Sequence, residues 1–143
     1  MAKATKQPTR SARTKTEDLG YMSVSHAIVW TDHQAARVLQ FDAEHVKAQK
    51  IRAESHYTRQ HQSKVRTEHE FFGELCDALN GIDEVLVTGS HTTVADFRHY
   101  AEKHRPHVAA RIVGYEVVDQ PTDNQLVALA RRYFLKHDRM RNP

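Results

Sequence analysis

A short apolar run from Val85 to Ser90 (VLVTGS) constrains the fold of this chain more than any other stretch. Its residues are aliphatic or β-branched until a glycine ends the run, which is typical of an interior strand that leads into a turn and a helix. Strand patterns precede the run, and helix and strand patterns alternate after it. The run therefore predicts an α/β fold organised around one central strand.

Four further strand patterns accompany the central run. Ser25 to Thr31 and Ala36 to Phe41 are joined by a short polar turn, which predicts a hairpin. Val46 to Ala53 alternates but is weakly apolar, and its lysines are typical of an edge strand. Val108 to Val118, interrupted by Gly114, is the last predicted strand.

Three helices are predicted from their end signals. Thr67 to Glu70 has the pattern of a capping box, and Asn80-Gly81 would end that helix. A second helix runs from about Thr92 to His104, where Pro106 stops it. Thr122 to Gln125 is another capping box and starts the last helix. Apolar residues at helical spacing mark the expected buried faces: Phe71, Phe72, Leu75, Cys76 and Leu79; Val94, Phe97 and Ala101; Leu126, Val127, Leu129, Ala130, Tyr133 and Phe134.

The order of these elements predicts the sheet. The first three strands should form an antiparallel meander, and the helical connections should make strands 1, 4 and 5 parallel, with right-handed crossovers. The expected fold class is α/β, with a mixed five-stranded sheet of ribonuclease-H-like order and helices packed on it.

Positive charge is concentrated near the two ends of the chain. The net charge is +3, yet the first sixteen residues contain five basic residues and no acid, and the last thirteen contain five basic residues and one acid. We expect a disordered basic arm over residues 1–20, a single domain over 21–137 and a basic tail over 138–143. Basic ends on an acidic body favour a polyanionic partner, although a solubilising role explains them equally well.

Composition also excludes several classes of protein. Cys76 is the only cysteine, so the chain cannot form an internal disulfide. No apolar run approaches the roughly 20 residues of a membrane helix. The N-terminal segment lacks the apolar core of a secretory signal; its composition also fits an organellar transit peptide, but a basic arm on a cytoplasmic protein is the simpler interpretation.

The segment from Glu54 to Arg66 has no hydrophobic period and is expected to be a long exposed loop, a class that is usually functional or disordered. Its cations could contact phosphates, and its tyrosine and histidines could stack on unpaired bases. A solvated loop is the alternative. The predicted RNA-binding residues, in the arm and in or next to this loop, are Lys3, Lys6, Arg10, Arg13, Lys15, Arg52, His56, Tyr57, Arg59, His61, Gln62, Lys64 and Arg66.

Eleven histidines raise the question of a metal site. His56, His61 and His69 share one region, and His104 and His107 flank Pro106. No pair has the helical spacing and carboxylate partner that zinc enzymes use, so scattered surface histidines are the better interpretation. The sequence predicts neither a metal site nor a cofactor.

A metal-dependent nuclease is the main enzymatic alternative. Ribonuclease-H-type catalysis needs carboxylates from strand 1, helix 1 and the end of strand 4 to hold two metals. Asp32 could serve the first role and Glu70 or Glu74 the second. The third position, near Thr88 to Ser90, offers no carboxylate, since Asp83-Glu84 lies at the other end of the strand. No catalytic residue is predicted.

Several of these segments resemble a known family. Ser25 to Leu39 (SHAIVWTDHQAARVL), and Val85 to Ser90 with the helix that follows, resemble the opening hairpin and the central strand and helix of the middle domain of archaeal and eukaryotic peptide-release factors and Pelota. Ala110 to Asp119 and Pro121 to Ala128 look like small bacterial translational machinery proteins. The likeness covers roughly Ser25 to Phe134.

The resemblance implies a ribosome- or tRNA-associated RNA-binding protein. In release factors, the loop that corresponds to Glu54 to Arg66 carries Gly-Gly-Gln, whose glutamine promotes hydrolysis of peptidyl-tRNA. This chain has Gln60 and Gln62 there but no glycine pair, so it lacks the backbone freedom for that turn. The expected role is therefore on idle or stalled ribosomes, as in ribosome hibernation, without peptide release. The alternatives are a ribonuclease-H-like nuclease and a non-enzymatic protein-interaction module. No DNA specificity and no membrane partner are expected, and the oligomeric state is left open.

Overall fold

A computed structural model describes residues 25–42, 45–53 and 64–141, and for residues 64–66 and 141 it describes the backbone alone. The predicted basic arm over residues 1–20 and most of the predicted loop lie outside these ranges.

One five-stranded sheet organises the described chain. Its strands are β1 (His26–Thr31), β2 (Ala35–Phe41), β3 (Val46–Arg52), β4 (Glu84–Gly89) and β5 (Ile112–Val117). They lie in the order β3-β2-β1-β4-β5. The β1–β2 and β2–β3 pairs are antiparallel, and the β1–β4 and β4–β5 pairs are parallel. The predicted mixed sheet, with its meander and its central strand, is therefore confirmed.

Helices cover both faces of the sheet. They are α1 (Lys64–Ala78), α2 (His91–His104), the single-turn α3 (Pro106–Ala109) and α4 (Asp123–Arg141). One core joins α1, α2 and α3 to one face of the sheet, and a smaller core joins α4 to the other. All six residues of β4 are buried, as the apolar run predicted. No helix in the described ranges is long and apolar enough to cross a membrane.

The alternation of side chains along the strands divides the two cores. Ala27 and Val29 of β1 point to the side of α1 and α2, where Phe72 and Phe97 pack edge to face with ring centroids 5.3 Å apart. Ile28 and its neighbours on the opposite face pack against Leu126, Ala130 and Phe134 of α4. Because successive residues of a strand face opposite ways, each interior strand contributes to both cores.

Two predicted boundaries are wrong. The first helix begins at Lys64, so Thr67 lies inside its first turn and the predicted capping box at Thr67 to Glu70 does not start it. The last strand begins at Ile112, because Val108 belongs to α3. Pro106 ends one helix but occupies the first position of the next, where its missing N–H costs nothing.

Other predicted end signals are confirmed. The Gln125 N–H donates to Thr122 Oγ1 at 3.1 Å, and the Thr122 N–H donates to Gln125 Oε1 at 2.8 Å, which is the reciprocal capping box expected before α4. Gly81, just after α1, has a φ of 86°, the left-handed conformation that glycine adopts without strain.

Candidate nucleic-acid interface

A cleft of about 330 Å³ opens where the C-terminal end of β1 meets β2 and β3. Its walls combine one aromatic ring with three basic side chains and a carboxylate. The lining residues are Trp30, Asp32, Ala35, Ala36, Arg37, Lys50, Arg52 and Gln120.

The strand register brings the basic residues of the cleft together. Arg37 of β2 pairs with Lys50 of β3, and Ala35 pairs with Arg52. Cross-strand partners point to the same face of a sheet, here the face on which α4 packs. The helix does not extend over β3, where only Ile51 is buried, and Ile51 points to the opposite face. Lys50 and Arg52 are therefore exposed side by side.

Arg37 has a structural role in this cleft. Its guanidinium donates to Asp123 Oδ1 at 2.7 Å and to the Pro121 carbonyl at 2.7 Å, and it lies 5.4 Å from the ring centroid of Trp30. The Trp30 indole N–H donates to the Val118 carbonyl at 2.9 Å. These contacts fix the segment that leads into α4, so Arg37 is unsuitable as a test of binding.

Lys50 and Arg52, by contrast, make no ion pair with a residue of the described ranges. Residues two apart on a strand are separated by about 7 Å, so the two cations can contact neighbouring phosphates of one strand. Arg52 belongs to the predicted RNA-binding set. Lys50 was predicted only as a lysine that protects a sheet edge, and its place beside Arg52 depends on the register with β2.

The other predicted RNA-binding residues lie outside the described structure. For Lys64 and Arg66 the backbone lies in the first turn of α1, but the side chains are not described. The rest of the set falls in segments without a description: Lys3, Lys6, Arg10, Arg13, Lys15, His56, Tyr57, Arg59, His61 and Gln62. Their role stays a prediction.

The structure does not bring together the carboxylates of the nuclease hypothesis. Asp32 Oδ1 accepts hydrogen bonds from the backbone amides of Gln34 at 2.8 Å and Ala35 at 2.9 Å, so this carboxylate shapes the β1–β2 turn. Within the described ranges, none of Asp32, Glu70 and Glu74 belongs to a cluster of three or more possible metal ligands.

Two mixed clusters of histidine and carboxylate occur that sequence reasoning missed. His26, Glu84 and Asp138 form one, and His33, Glu68 and Asp96 form the other; in each, the ligand atoms all lie within 4.8 Å of one another. The members of each cluster are far apart in sequence. The only local signal is that His26 and Glu84 each begin a strand, and those strands prove to be parallel neighbours.

His69 and His104 are exposed, as expected of surface histidines, but they are neighbours in the structure. Their rings lie 5.5 Å apart across α1 and α2, and the Tyr100 ring packs against both, at centroid distances of 5.2 and 4.9 Å.

Comparisons with known proteins show the fold. No protein-family model and no curated protein matches the chain. Among solved structures, Pelota of Archaeoglobus fulgidus matches 87% of this chain at 16% identity with a TM-score of 0.56. An archaeal translation termination factor matches 78% at 13% identity with a TM-score of 0.55. Pelota of Thermoplasma acidophilum matches 85% at 13% identity with a TM-score of 0.55.

The matched region is only part of each of these proteins. The chain covers 36%, 35% and 37% of their respective lengths, about a third in each case. The predicted resemblance to Pelota and the termination factors is confirmed at the level of fold, whereas the likeness to small bacterial proteins stays a prediction. This chain therefore has the fold of a segment of Pelota and of an archaeal translation termination factor.

Proposed function

We propose that this protein is a translation-factor-like RNA-binding protein that associates with the ribosome or with tRNA in the cytoplasm, and that it does not catalyse peptide release. The observation that carries the proposal is the pair of exposed cations, Lys50 and Arg52, at the mouth of the cleft. They lie at the end of β3, directly before the segment predicted to contact RNA. The fold shared with Pelota and a termination factor supports a ribosomal or tRNA partner.

The cations of this surface and the aromatic side chains near it would make different contacts with RNA. Lys50 presents a compact ammonium and Arg52 a planar guanidinium, and both bind phosphate oxygens through charge-assisted hydrogen bonds. Trp30 is only 6% exposed and lies beneath Arg37, so it offers no face for a base. Base stacking would then come from Tyr57 and the histidines of the segment that follows. If the protein contacts the phosphates of RNA and does not recognise individual bases, its affinity should depend little on the RNA sequence.

Lys50→Gln combined with Arg52→Gln is expected to weaken binding to tRNA about tenfold at low salt. Each phosphate contact that is lost should also reduce the slope of log affinity against log salt by roughly 0.7 to 0.9. Fluorescence anisotropy with labelled tRNA over a salt series measures both quantities. Both side chains are exposed, so the change should leave the fold intact.

A matched control removes the same charge elsewhere. Lys47 lies on the opposite face of β3, and Lys103 is exposed on α2. Lys47→Gln with Lys103→Gln should change affinity no more than about twofold. Equal losses in the two double variants would show that net charge, and not this face, governs binding. Absence of tRNA and ribosome binding at low salt would reject RNA association and favour a protein-interaction module.

Association with ribosomes is tested by sedimentation through a gradient at low and moderate salt. We expect the whole chain to co-migrate with ribosomes, and we expect less co-migration for a variant that lacks residues 1–17 and for the Lys50/Arg52 double variant. Binding to free tRNA without co-migration would restrict the function to tRNA.

A further inference from the structure

A mixed cluster of nitrogen and oxygen ligands lies at the end of the sheet opposite the cleft. His26 and Glu84 are the first residues of β1 and β4 and are register partners. Both face α4, whose last turn contributes Asp138. The three ligand atoms lie within 4.8 Å of one another. We infer that His26, Glu84 and Asp138 form a binding site for a divalent first-row transition metal, with Zn²⁺ preferred.

The arrangement of the first two ligand atoms supports this inference. His26 Nε2 and Glu84 Oε1 lie 3.1 Å apart, yet they are not aligned for a hydrogen bond with each other. Two ligands at the usual zinc distances in a tetrahedral site are about 3.4 Å apart. The two atoms are thus placed as ligands of a common ion would be. The Asp138 oxygen lies within 4.8 Å of both atoms, so an adjustment of this partly buried side chain would bring it to the same separation.

The surroundings of the site favour a cation. The Glu84 side chain is only 6% exposed, and a carboxylate with little water around it attracts a cation more strongly than an exposed one does. Asp138 adds a second negative group, and the last turn of α4 presents the negative end of the helix dipole. All three contributions have the same sign, so a divalent ion placed between the ligands would be attracted by each of them.

The imidazole is held in place by aromatic packing. The His26 ring lies 4.4 Å from the Phe134 ring and 6.0 Å from the Phe41 ring, measured between centroids. This packing restricts rotation of the ring and keeps Nε2 directed at Glu84. Imidazole favours zinc, copper, iron or nickel, whereas carboxylates alone favour magnesium, calcium or manganese. One nitrogen with two oxygens therefore favours zinc, with solvent at the fourth position beside Asp138.

The second cluster provides an internal comparison. Both ring nitrogens of His33 already have partners, Glu68 Oε2 at 3.3 Å and Thr92 Oγ1 at 3.1 Å. The His33 side chain is 51% exposed, and the cluster lies beside the N-terminal turn of α2, where the helix dipole disfavours a cation. We expect the first cluster to bind metal and the second not to.

The test is titration of the metal-free protein with Zn²⁺ by calorimetry and with Co²⁺ by visible absorption, which reports the ligand geometry. One high-affinity equivalent is expected. Asp138→Asn should weaken binding by at least about tenfold, and the pair of changes His33→Gln and Asp96→Asn should leave it unchanged. Zn²⁺ should also raise the thermal midpoint of the unmodified protein more than that of Asp138→Asn.

His26→Gln should abolish the high-affinity equivalent. If that variant does not fold, Asp138→Asn decides alone, because Asp138 is only partly buried at the end of a helix. The inference is overturned if no high-affinity Zn²⁺ binding occurs, if Asp138→Asn binds as tightly as the unmodified protein, or if binding is lost in the His33 and Asp96 variant. None of these outcomes depends on RNA binding, so the inference and the proposed function can fail separately.

Discussion

Gly89→Ala is expected to destabilise the protein by about 3 kcal/mol or more, one of the largest effects that a single methyl group can have here. Gly89 is the last residue of β4 and is paired with Thr31, the last residue of β1. Its φ is 155°, and an added Cβ would lie 2.1 Å from the Thr31 carbonyl oxygen. That oxygen also accepts the Ser90 N–H at 3.2 Å, so the two strand ends would have to separate.

The strain would extend beyond the two central strands. The Gly89 carbonyl accepts the Val118 N–H at 3.0 Å, which joins the end of β4 to the segment that follows β5. Separation of β1 and β4 at this point would therefore also disturb the third parallel strand. The Ser90 hydroxyl donates to Thr93 Oγ1 at 2.8 Å, and this contact at the start of α2 depends on the same turn.

Gly81→Ala is the matched control. Gly81 also has a positive φ, 86°, but an added Cβ would meet no atom within 4 Å. Its cost should be about 1 kcal/mol, from backbone strain alone. Urea unfolding of the two variants and of the unmodified protein measures the difference in the free energy of unfolding. The comparison requires that the slope of this free energy against urea concentration is the same for all three proteins. Similar losses in both would mean that the β1–β4 contact relaxes at little cost.

The same turn shows why much of the fold was predictable. A run of apolar residues that ends in glycine has few structural interpretations, and its burial on both faces follows from composition. The Thr122 to Gln125 capping box was equally readable, because both of its hydrogen bonds join residues three positions apart. Features that depend on local sequence alone were predicted well.

The start of α1 shows the limit of local reasoning. Thr67 to Glu70 has the pattern of a cap, but the helix begins a turn earlier, at Lys64. The first three residues of α1 are Lys64, Val65 and Arg66, which include no capping residue and form no apolar period. Lysine and arginine nevertheless have good helix propensity. A first turn without a cap residue or an apolar period leaves no helix signal in the sequence, so the predicted loop extended too far.

The candidate sites depend on long-range register, which the sequence does not specify locally. Arg52 was predicted from its position next to the loop, but the cleft exists because Arg37 and Lys50 are cross-strand partners. His26 and Glu84 are 58 positions apart and meet only because β1 and β4 are parallel neighbours in one register. A shift of one residue in either pairing would move these side chains to the other face.

Native Cys76 is expected to react with a thiol reagent at pH 8 at least about a thousandfold more slowly than in the unfolded chain. Burial raises the pKa of its thiol from 9.0 to about 12, and the nearby Arg105 guanidinium offsets only part of that effect. Since the thiolate is the reactive form, a pKa higher by about three units reduces the reactive fraction by about a thousandfold. Complete burial of the side chain blocks the reagent in addition.

The same pKa shift has a consequence for stability. The folded protein holds the thiol proton more tightly than the unfolded chain does. The contribution of this thiol to the free energy of unfolding is therefore complete below pH 9 and is lost as the pH rises towards 12. Burial also raises the pKa of Tyr115, from 10.0 to about 12. The contribution of this tyrosine to stability is therefore also lost as the pH rises, between about pH 10 and pH 12. The free energy of unfolding should therefore begin to fall near pH 9, which urea titrations from pH 8 to 10.5 would measure.

Cys76→Ala separates the two contributions. In that variant the decline should begin about one pH unit higher, where only the tyrosine shift acts. Because the protein has a single cysteine, the reagent reports only events that expose the space between α1 and the sheet. Rapid labelling of the native protein at pH 8, without urea, would mean that α1 opens from the sheet far more often than the whole domain unfolds.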